Sequence, residues 1–165
     1  MSMSRKPFVI GAAVVLFCAV QCRWLLSAWL HAPFDHLGWV IFGMWLCPMA
    51  SGFFRPEPPK PAEWLLVAAS GCSLAGAALD FNALRDIGLA FSLAAFLPAG
   101  APGALLWSGV ALAWMPIFGW LGSSVGLAAV LSARFGMICV ALLLFFAIAR
   151  RRAHPARRQT VLSPL

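Results

Sequence analysis

Charged residues are scarce in this 165-residue chain, and tyrosine is absent. Only 10% of the residues are charged and 62% are hydrophobic, whereas a typical soluble domain is about 25% charged and about 45–50% apolar. A core of this size cannot hide so much apolar surface from water. The composition therefore excludes an ordinary soluble domain and predicts an all-α, polytopic membrane helical bundle with the lipid bilayer as its solvent.

Acidic residues are the rarer charged type, with five Asp and Glu against twelve Lys and Arg. The net charge of +7 alone would suit a nucleic-acid partner, but five arginines directly follow the last apolar run: Arg150, Arg151, Arg152, Arg157 and Arg158. Such a cluster is typical of a cytoplasmic flank that contacts anionic lipid. We predict no nucleic-acid partner, one transmembrane helical domain over residues 1–149 and a basic cytoplasmic tail over residues 150–165.

The sequence lacks the common metal and redox motifs, with no CxxC, HxxxH or HExxH. His31 and His36 are five residues apart across a proline, which is not a metal-ligand spacing. The five cysteines lie in apolar runs, as small buried side chains do: Cys18, Cys22, Cys47, Cys72 and Cys139. We predict no metal and no cofactor, with a soft-metal or redox pair of Cys18 and Cys22 as the alternative to simple packing.

Apolar runs separated by short turns predict six membrane spans. Their approximate ranges are 7–28, 37–54, 64–79, 83–98, 103–121 and 127–149. No charge occurs from residue 87 to residue 133, so the last divisions depend on "PAGAPG" and "GSSVG", whose proline and glycine residues favour turns. Four spans, with residues 87–121 forming a re-entrant pair, are the structural alternative.

An even number of spans gives a consistent orientation. It places both termini, and the turn "RPEPPKP" with Arg55 and Lys60, on the cytoplasmic side, as the positive-inside rule requires. The turns "HAPFDH", "DFNALRD" and "GSSVG" then face the outside. The predicted location is the bacterial inner membrane, with multiple spans and both termini cytoplasmic.

Polar side chains collect on the predicted outer side. The candidate external polar cluster comprises Arg23, Asp35, His36, Asp80, Arg85, Asp86 and Arg134. An arginine inside a span costs about 2.5–3.5 kcal/mol on insertion scales unless it reaches the interface or pairs. Arg23 and Arg134 are such residues, and the aspartates are the available partners. Two interpretations stay open: a shallow site for a substrate or partner, or solvated turns with structural ion pairs.

Two further patterns concern helix packing. Six of the eight tryptophans lie near predicted span ends, which is typical of interfacial anchoring: Trp24, Trp29, Trp39, Trp64, Trp107 and Trp120. In the third span, Ala68, Cys72 and Gly76 form a stripe of small residues that allows close helix approach in lipid. This stripe predicts that the third span lies at the centre of the bundle.

Residues 30 to 135 resemble the amino-terminal half of the exosortases and archaeosortases, membrane transpeptidase-like proteins that process C-terminal sorting signals. "FDHLGWVIFGMW" resembles the family's external histidine patch, with His36 at the histidine. "LRDIGLAFSLAAF" resembles its arginine-started span, and "LLWSGVALAWMPIFGWLGSSVGLAAVLSAR" resembles its Met-x-Pro region. The resemblance implies a membrane protein with a role in protein sorting.

The family's catalytic half supplies a cysteine, an arginine and a histidine after this region. Here residue 135 leads into one apolar span and the basic tail. "SGCSLAG" at Cys72 and "NALR" at Arg85 imitate two of the catalytic motifs at a closer spacing, so Cys72 and Arg85 are the candidate catalytic residues of a cysteine transpeptidase.

Four functions are therefore compared. The first is a non-catalytic, exosortase-like accessory or scaffold that binds another membrane protein through its external polar face. The second is a small hydrophobic subunit of a larger respiratory, photosynthetic or secretory membrane complex. The third is a compact membrane enzyme that uses Cys72 and Arg85. The fourth is a small transporter, which the proline-broken fourth and fifth spans would suit. The first is preferred, with the second as its alternative.

Overall fold

The computed structural model describes the backbone of residues 5–53, 60–116 and 124–159 and the side chains of residues 6–51, 60–100, 102–116 and 124–150. Over these ranges the chain forms helices and turns and no strand, which confirms the all-α prediction. The helices are α1 Arg5–Gln21, α2 Trp24–His31, α3 Gly38–Phe53, α4 Glu63–Ala78, α5 Asn82–Ala94, α6 Gly100–Val110 with a 3₁₀ turn Ala111–Ala113, and α7 Leu127–Gln159.

The helices follow the predicted spans in order, but most of them are short. Among the described residues, only Leu127–Arg150 of α7 is long and apolar enough to cross a membrane by itself. The segments Lys6–Gln21 and Trp24–His31 meet the same criterion together, across a bend of 52°. Helix length and composition therefore support one or two spans and do not establish six.

The predicted first span is not one straight helix, because α1 ends at Gln21 and α2 begins at Trp24. The bend lies at the exposed residue Arg23, between the buried Cys22 and the half-buried Trp24. Cys22 is buried, and both Cys22 and Trp24 interact with Asp86 of α5.

Helices α1, α4 and α5 pack through small residues, and we name Ala69, Ser73, Gly76 and Gly88 the small-residue region. A Cβ at Gly76 would lie 2.8 Å from both Cγ and the backbone nitrogen of Arg85, and a Cβ at Gly88 would lie 2.8 Å from the carbonyl oxygen of Ala69. The helices can approach this closely only because these side chains are small or missing.

The stripe of small residues predicted for the third span, which is α4, is only partly right. Gly76 is buried as expected, but Ala68 and Cys72 are half-buried, and Val67 on the outer face is 74% exposed. The buried face is instead formed by Leu65, Ala69, Ser73 and Gly76 together with Leu66. The prediction that this span, α4, lies at the centre of the bundle is wrong. One face of α4 packs on α1 and α5, and its opposite face is exposed.

A second packing centre is aromatic and lies between α2, α3, α6 and α7. The aromatic cluster consists of Trp29, Phe42, Trp45, Trp107, Trp114 and Phe145. The rings of Trp45 and Trp107 stack at 13° with centroids 6.5 Å apart. Each of these two indoles also donates a hydrogen bond to the other residue's carbonyl oxygen, at 3.0 and 3.1 Å.

The aromatic cluster corrects the interfacial assignment of two tryptophans. Trp29 and Trp107 are buried inside the molecule rather than placed at its surface. Trp39 and Trp64 are exposed, as interfacial anchors are, and Trp24 is half-buried. Trp120 lies outside the described residues.

Two contacts define one end of the α1–α4–α5 group. The ring of Phe8 meets that of Phe96 edge-on with centroids 5.8 Å apart, and the amide of Ala62 donates to the carbonyl of Ala95 at 2.9 Å. We name this the basic end, because the exposed residues Lys6 and Lys60 lie there. The opposite ends of the same helices carry Cys22, Asp80 and Asn82.

Candidate functional site

The structure divides the predicted external polar cluster into three groups. Asp35 and Arg134 form a buried pair, Asp80 and Arg85 form a partly exposed pair, and Asp86 is buried in the α1–α4–α5 group. The remaining members, Arg23 and His36, are exposed. The cluster is thus not one continuous surface, and each group has its own chemistry.

Asp35 is directed inward by the turn "HAPFDH" between α2 and α3. Its amide donates to the carbonyl of Ala32 at 3.1 Å, and its own carbonyl accepts from the amide of Gly38 at 2.7 Å. Gly38 allows the turn to close against Trp29, because a Cβ at this position would overlap the indole ring. The side chain of Asp35 is consequently only 5% exposed.

Arg134 of α7 meets Asp35 and several backbone carbonyls. Its Nη1 donates to Oδ1 of Asp35 at 2.8 Å and to the carbonyl of Phe34 at 2.7 Å. Its Nε donates to the carbonyl of Ala113 at 2.6 Å, and its Nη2 lies 3.4 Å from that of Met115. The guanidinium therefore joins the α2–α3 turn, the turn after α6, and α7.

The Asp35–Arg134 pair has the properties of a structural ion pair. Both side chains are buried, and the planar guanidinium is surrounded by acceptors, which is what a buried cation requires. Burial raises the pKa of Asp35, while the guanidinium beside it acts in the opposite direction. Neither side chain is presented to a substrate outside the molecule.

The second group lies at the α4–α5 turn. Arg85 donates to Oδ1 of Asp80 and to Oδ1 of Asn82, both at 2.8 Å. Asp80 has a positive φ of 50°, a conformation that aspartate tolerates better than most residues, and its side chain is 92% exposed. Such a surface pair adds little to stability, so its main effect is to hold the guanidinium of Arg85 over this turn.

The third group is a set of buried polar side chains between α1, α4 and α5. Asp86 is 1% exposed and lies beside the Cys22 thiol and the Trp24 indole, close to the guanidinium of Arg85. Among the described residues, its Oδ1 makes no hydrogen bond, nor do Nε1 of Trp24 and Nε of Arg85. Ser73 donates to the sulfur of Cys18 at 3.2 Å close by in the same three-helix group.

The cysteine and histidine predictions have mixed outcomes. All five thiols are free; Cys18 and Cys22 are buried as expected, whereas Cys47 and Cys139 are exposed. In the described part of the chain no three His, Cys, Asp or Glu side chains converge into a metal-binding group. His36 is exposed, and Nδ1 of the exposed His31 donates to the carbonyl of Ser27 at 3.0 Å.

The guanidinium of Arg85, one of the two candidate catalytic residues, is bonded to side chains other than Cys72. Cys72 is half-buried on α4, and the hydrogen bonds of the Arg85 guanidinium go to Asp80 and Asn82. A cysteine becomes nucleophilic when a cation or base stabilises its thiolate. In the structure the guanidinium of Arg85 is held by two other partners.

Sequence reasoning found the charged residues but not the groups that complete their surroundings. The carbonyls of Phe34, Ala113 and Met115 carry no signal in the sequence, since every residue has one. Cys22 and Ser73 carry polar atoms within apolar runs, and this pattern is the one feature of the sequence that could have predicted a polar contact inside the bundle. Compared with protein-family models, curated proteins and solved structures, the chain matches none of them.

Proposed function

We propose that this chain is a multi-pass protein of the bacterial inner membrane that acts as a non-catalytic accessory subunit of another membrane protein. The observation that carries the proposal is the surface of α7. Its segment Leu127–Arg150 has a mean hydropathy of 2.3, yet only 11% of its most apolar window is buried within the chain. Such a helix requires lipid or another protein around it.

The uncovered surface of α7 is extensive. Val140, Leu143, Leu144 and Ile148 are each more than half exposed, and Gly136 has open space around it. Helices associate in lipid by close packing rather than by a hydrophobic force, and small residues on an exposed face favour such packing. This face is the contact surface that we assign to the partner.

The polar groups support a non-catalytic role. Asp35 and Arg134 are bonded to each other inside the molecule, and Arg85 is held by Asp80 and Asn82. The remaining exposed members of the predicted cluster, Arg23 and His36, belong to different elements of the chain. The proposal therefore places the partner contact on α7 rather than on the external polar face that the sequence suggested.

The course of α5 supports six spans over the alternative with a re-entrant pair. At one end α5 packs Arg85 against Gly76 near the end of α4, and at the other the carbonyl of Ala95 accepts from the amide of Ala62 just before α4 begins. Helix α5 thus follows α4 along its whole length, whereas a re-entrant helix would turn back part-way. Both termini would then be cytoplasmic, as the positive charges favour.

The resemblance to exosortases suggests the class of partner, which would be a protein-sorting enzyme of the same membrane. The alternative is a larger respiratory, photosynthetic or secretory complex. Purification of the tagged chain in a mild detergent, followed by mass spectrometry of co-purifying proteins, separates these classes. A sorting enzyme supports the first and a stoichiometric complex supports the second.

Site-specific crosslinking tests the α7 surface. A photoreactive residue at Val140, which is exposed, should crosslink in living cells to one discrete protein, whereas the same residue at Trp39, exposed on α3, should not. Crosslinks from neither position, or equal crosslinks from both, would contradict a partner on α7. Retention in the membrane pellet after alkaline carbonate extraction tests the membrane location separately.

A further inference from the structure

An apolar groove lies between α1, α3 and α5. Its volume is about 460 Å³, and its lining includes Phe8, Ala12 and Ala19 of α1, Met49 of α3 and Phe96 of α5. Every residue that lines it is apolar. A groove without polar groups offers nothing to orient a polar ligand, so its ligand is a hydrocarbon.

The dimensions of the groove match one acyl chain. On α1 the lining extends from Phe8 to Ala19, which is about 16 Å along a helix that rises 1.5 Å per residue. One leaflet contributes half of a hydrocarbon core that is about 30 Å thick. A single acyl chain entering at one end would therefore fill the groove to about the midplane of the bilayer.

The charges at the mouth of the groove indicate the headgroup. Phe8 and Phe96, which line the groove, are in ring contact at the basic end of the molecule. Lys6 is exposed in the first turn of α1, and Lys60 is exposed two residues before Ala62, whose amide binds the carbonyl of Ala95 next to Phe96. Two ammonium groups near one end of a hydrocarbon groove complement an anionic headgroup.

We propose that this groove binds one acyl chain of an anionic phospholipid of the cytoplasmic leaflet, with Lys60 and Lys6 at its phosphate. The inference rests on the proposed membrane location, because it requires the basic end to face the cytoplasm. It goes beyond that location by assigning a specific lipid class to a specific groove. The bound lipid would fill the gap that α1 and α3 leave beside α5.

Native mass spectrometry of the full chain in detergent tests the proposal with phosphatidylglycerol and phosphatidylcholine of identical acyl chains. We expect at least a threefold higher occupancy by phosphatidylglycerol at equal lipid concentration, with one lipid per chain. Equal occupancy by the two lipids would overturn the assignment of the headgroup, and thereby the proposal.

Two variants locate the lipid. Ala12→Trp places a large side chain in the groove and should abolish the bound phosphatidylglycerol, whereas Ala13→Trp, at the next and also exposed position of α1, should retain it. Lys60→Gln should reduce the preference for phosphatidylglycerol at least twofold, whereas Lys60→Arg should preserve it. Unchanged binding in both Ala12→Trp and Lys60→Gln would overturn the proposal.

The two proposals fail in different ways. Release of the chain by alkaline carbonate would refute the membrane location and, with it, the lipid assignment. A chain that stays in the membrane but binds both lipids equally refutes the lipid assignment alone. If Ala12→Trp does not fold, the comparison of the two lipids on the unaltered chain still decides the outcome.

Discussion

The small-residue region and the aromatic cluster fill the interior of the molecule in opposite ways. Between α4 and α5, Gly76 and Gly88 bring helix backbones together until almost no side chain separates them. Between α3 and α6, the stacked indoles of Trp45 and Trp107 hold the helices apart and bind the opposite backbone through N–H groups. The small-residue region depends on the absence of side-chain atoms at its glycines. The aromatic cluster depends on the size and orientation of its rings.

This difference suits the apolar solvent of the proposed membrane location. In lipid, burying an apolar side chain gains little, and association comes from dense packing and from satisfied polar groups. The small-residue region uses dense packing, and the aromatic cluster adds hydrogen bonds from indole N–H groups to backbone carbonyls of the facing helix. The Asp35–Arg134 pair connects α7 to the turn between α2 and α3, two of the helices that carry the aromatic cluster.

Removal of Arg134 should have the largest effect on this arrangement. Arg134→Met leaves Asp35 as a buried unpaired charge, and breaking such a pair costs about 3–5 kcal/mol. Thermal unfolding in detergent would measure the loss. The double variant Asp35→Leu/Arg134→Met should regain most of it, and Arg23→Gln, on an exposed residue, serves as the control. A single variant as stable as the original chain would show that α7 is not held by this pair.

A side chain at Gly88 should have the next largest effect, because it tests the small-residue region directly. Gly88→Val would collide with Ser73 and with the backbone of Ala69, at a cost of about 2–3 kcal/mol. Gly71→Val, on the same bundle but with open space around its Cα, is the matched control. Equal melting temperatures for the two variants would contradict close packing of α4 on α5.

The aromatic cluster should tolerate change better than the small-residue region. Trp45→Phe removes one of the two reciprocal hydrogen bonds and leaves the carbonyl of Trp107 without its donor, which costs about 1–2 kcal/mol. Trp39→Phe, on a side chain that is 58% exposed, should change the unfolding free energy by less than about 0.5 kcal/mol. A loss at position 45 larger than that of Gly88→Val would reverse the comparison between the regions.

The smallest effect is expected at the α4–α5 turn. Asp80→Asn removes the charge from an ion pair whose carboxylate is 92% exposed, and such pairs contribute about 0–1 kcal/mol. The unfolding free energy of the variant should be nearly that of the original chain, and added salt should reduce the remaining difference because it screens exposed charges. A loss comparable to that of Arg134→Met would contradict the assignment of Asp80 and Arg85 as a weak surface ion pair.

The course of the helices could be predicted from local chemistry. Gly100 has a φ of 76° just where "PAGAPG" predicts a turn, and Asp80 has a positive φ where "DFNALRD" interrupts the apolar sequence. Asp35 was among the three acids available to Arg134. A buried arginine requires a carboxylate or several carbonyls around it. The sequence therefore predicts that Arg134 has such a partner, but it does not predict which of the acids this is.

The errors arose where contacts between distant residues decide the structure. Trp107 lies near a predicted span end, but its partner Trp45 is 62 residues away, and hydropathy does not distinguish an indole in the core from one at an interface. The bend between Gln21 and Trp24 lies beside Asp86 of α5, a neighbour that the sequence of the first span does not reveal. The lateral position of α4 depends on which helices cover it.

The account depends most on the bundle crossing the membrane with its basic end inside and the α2–α3 turn outside. Cysteine labelling by an impermeant maleimide on intact cells tests this, in a background without the exposed residues Cys47 and Cys139. Cysteines introduced at His36 and Lys60 are both on exposed positions of the folded chain. We expect labelling at position 36 in intact cells and at position 60 only after lysis. Labelling at position 60 in intact cells would contradict this orientation.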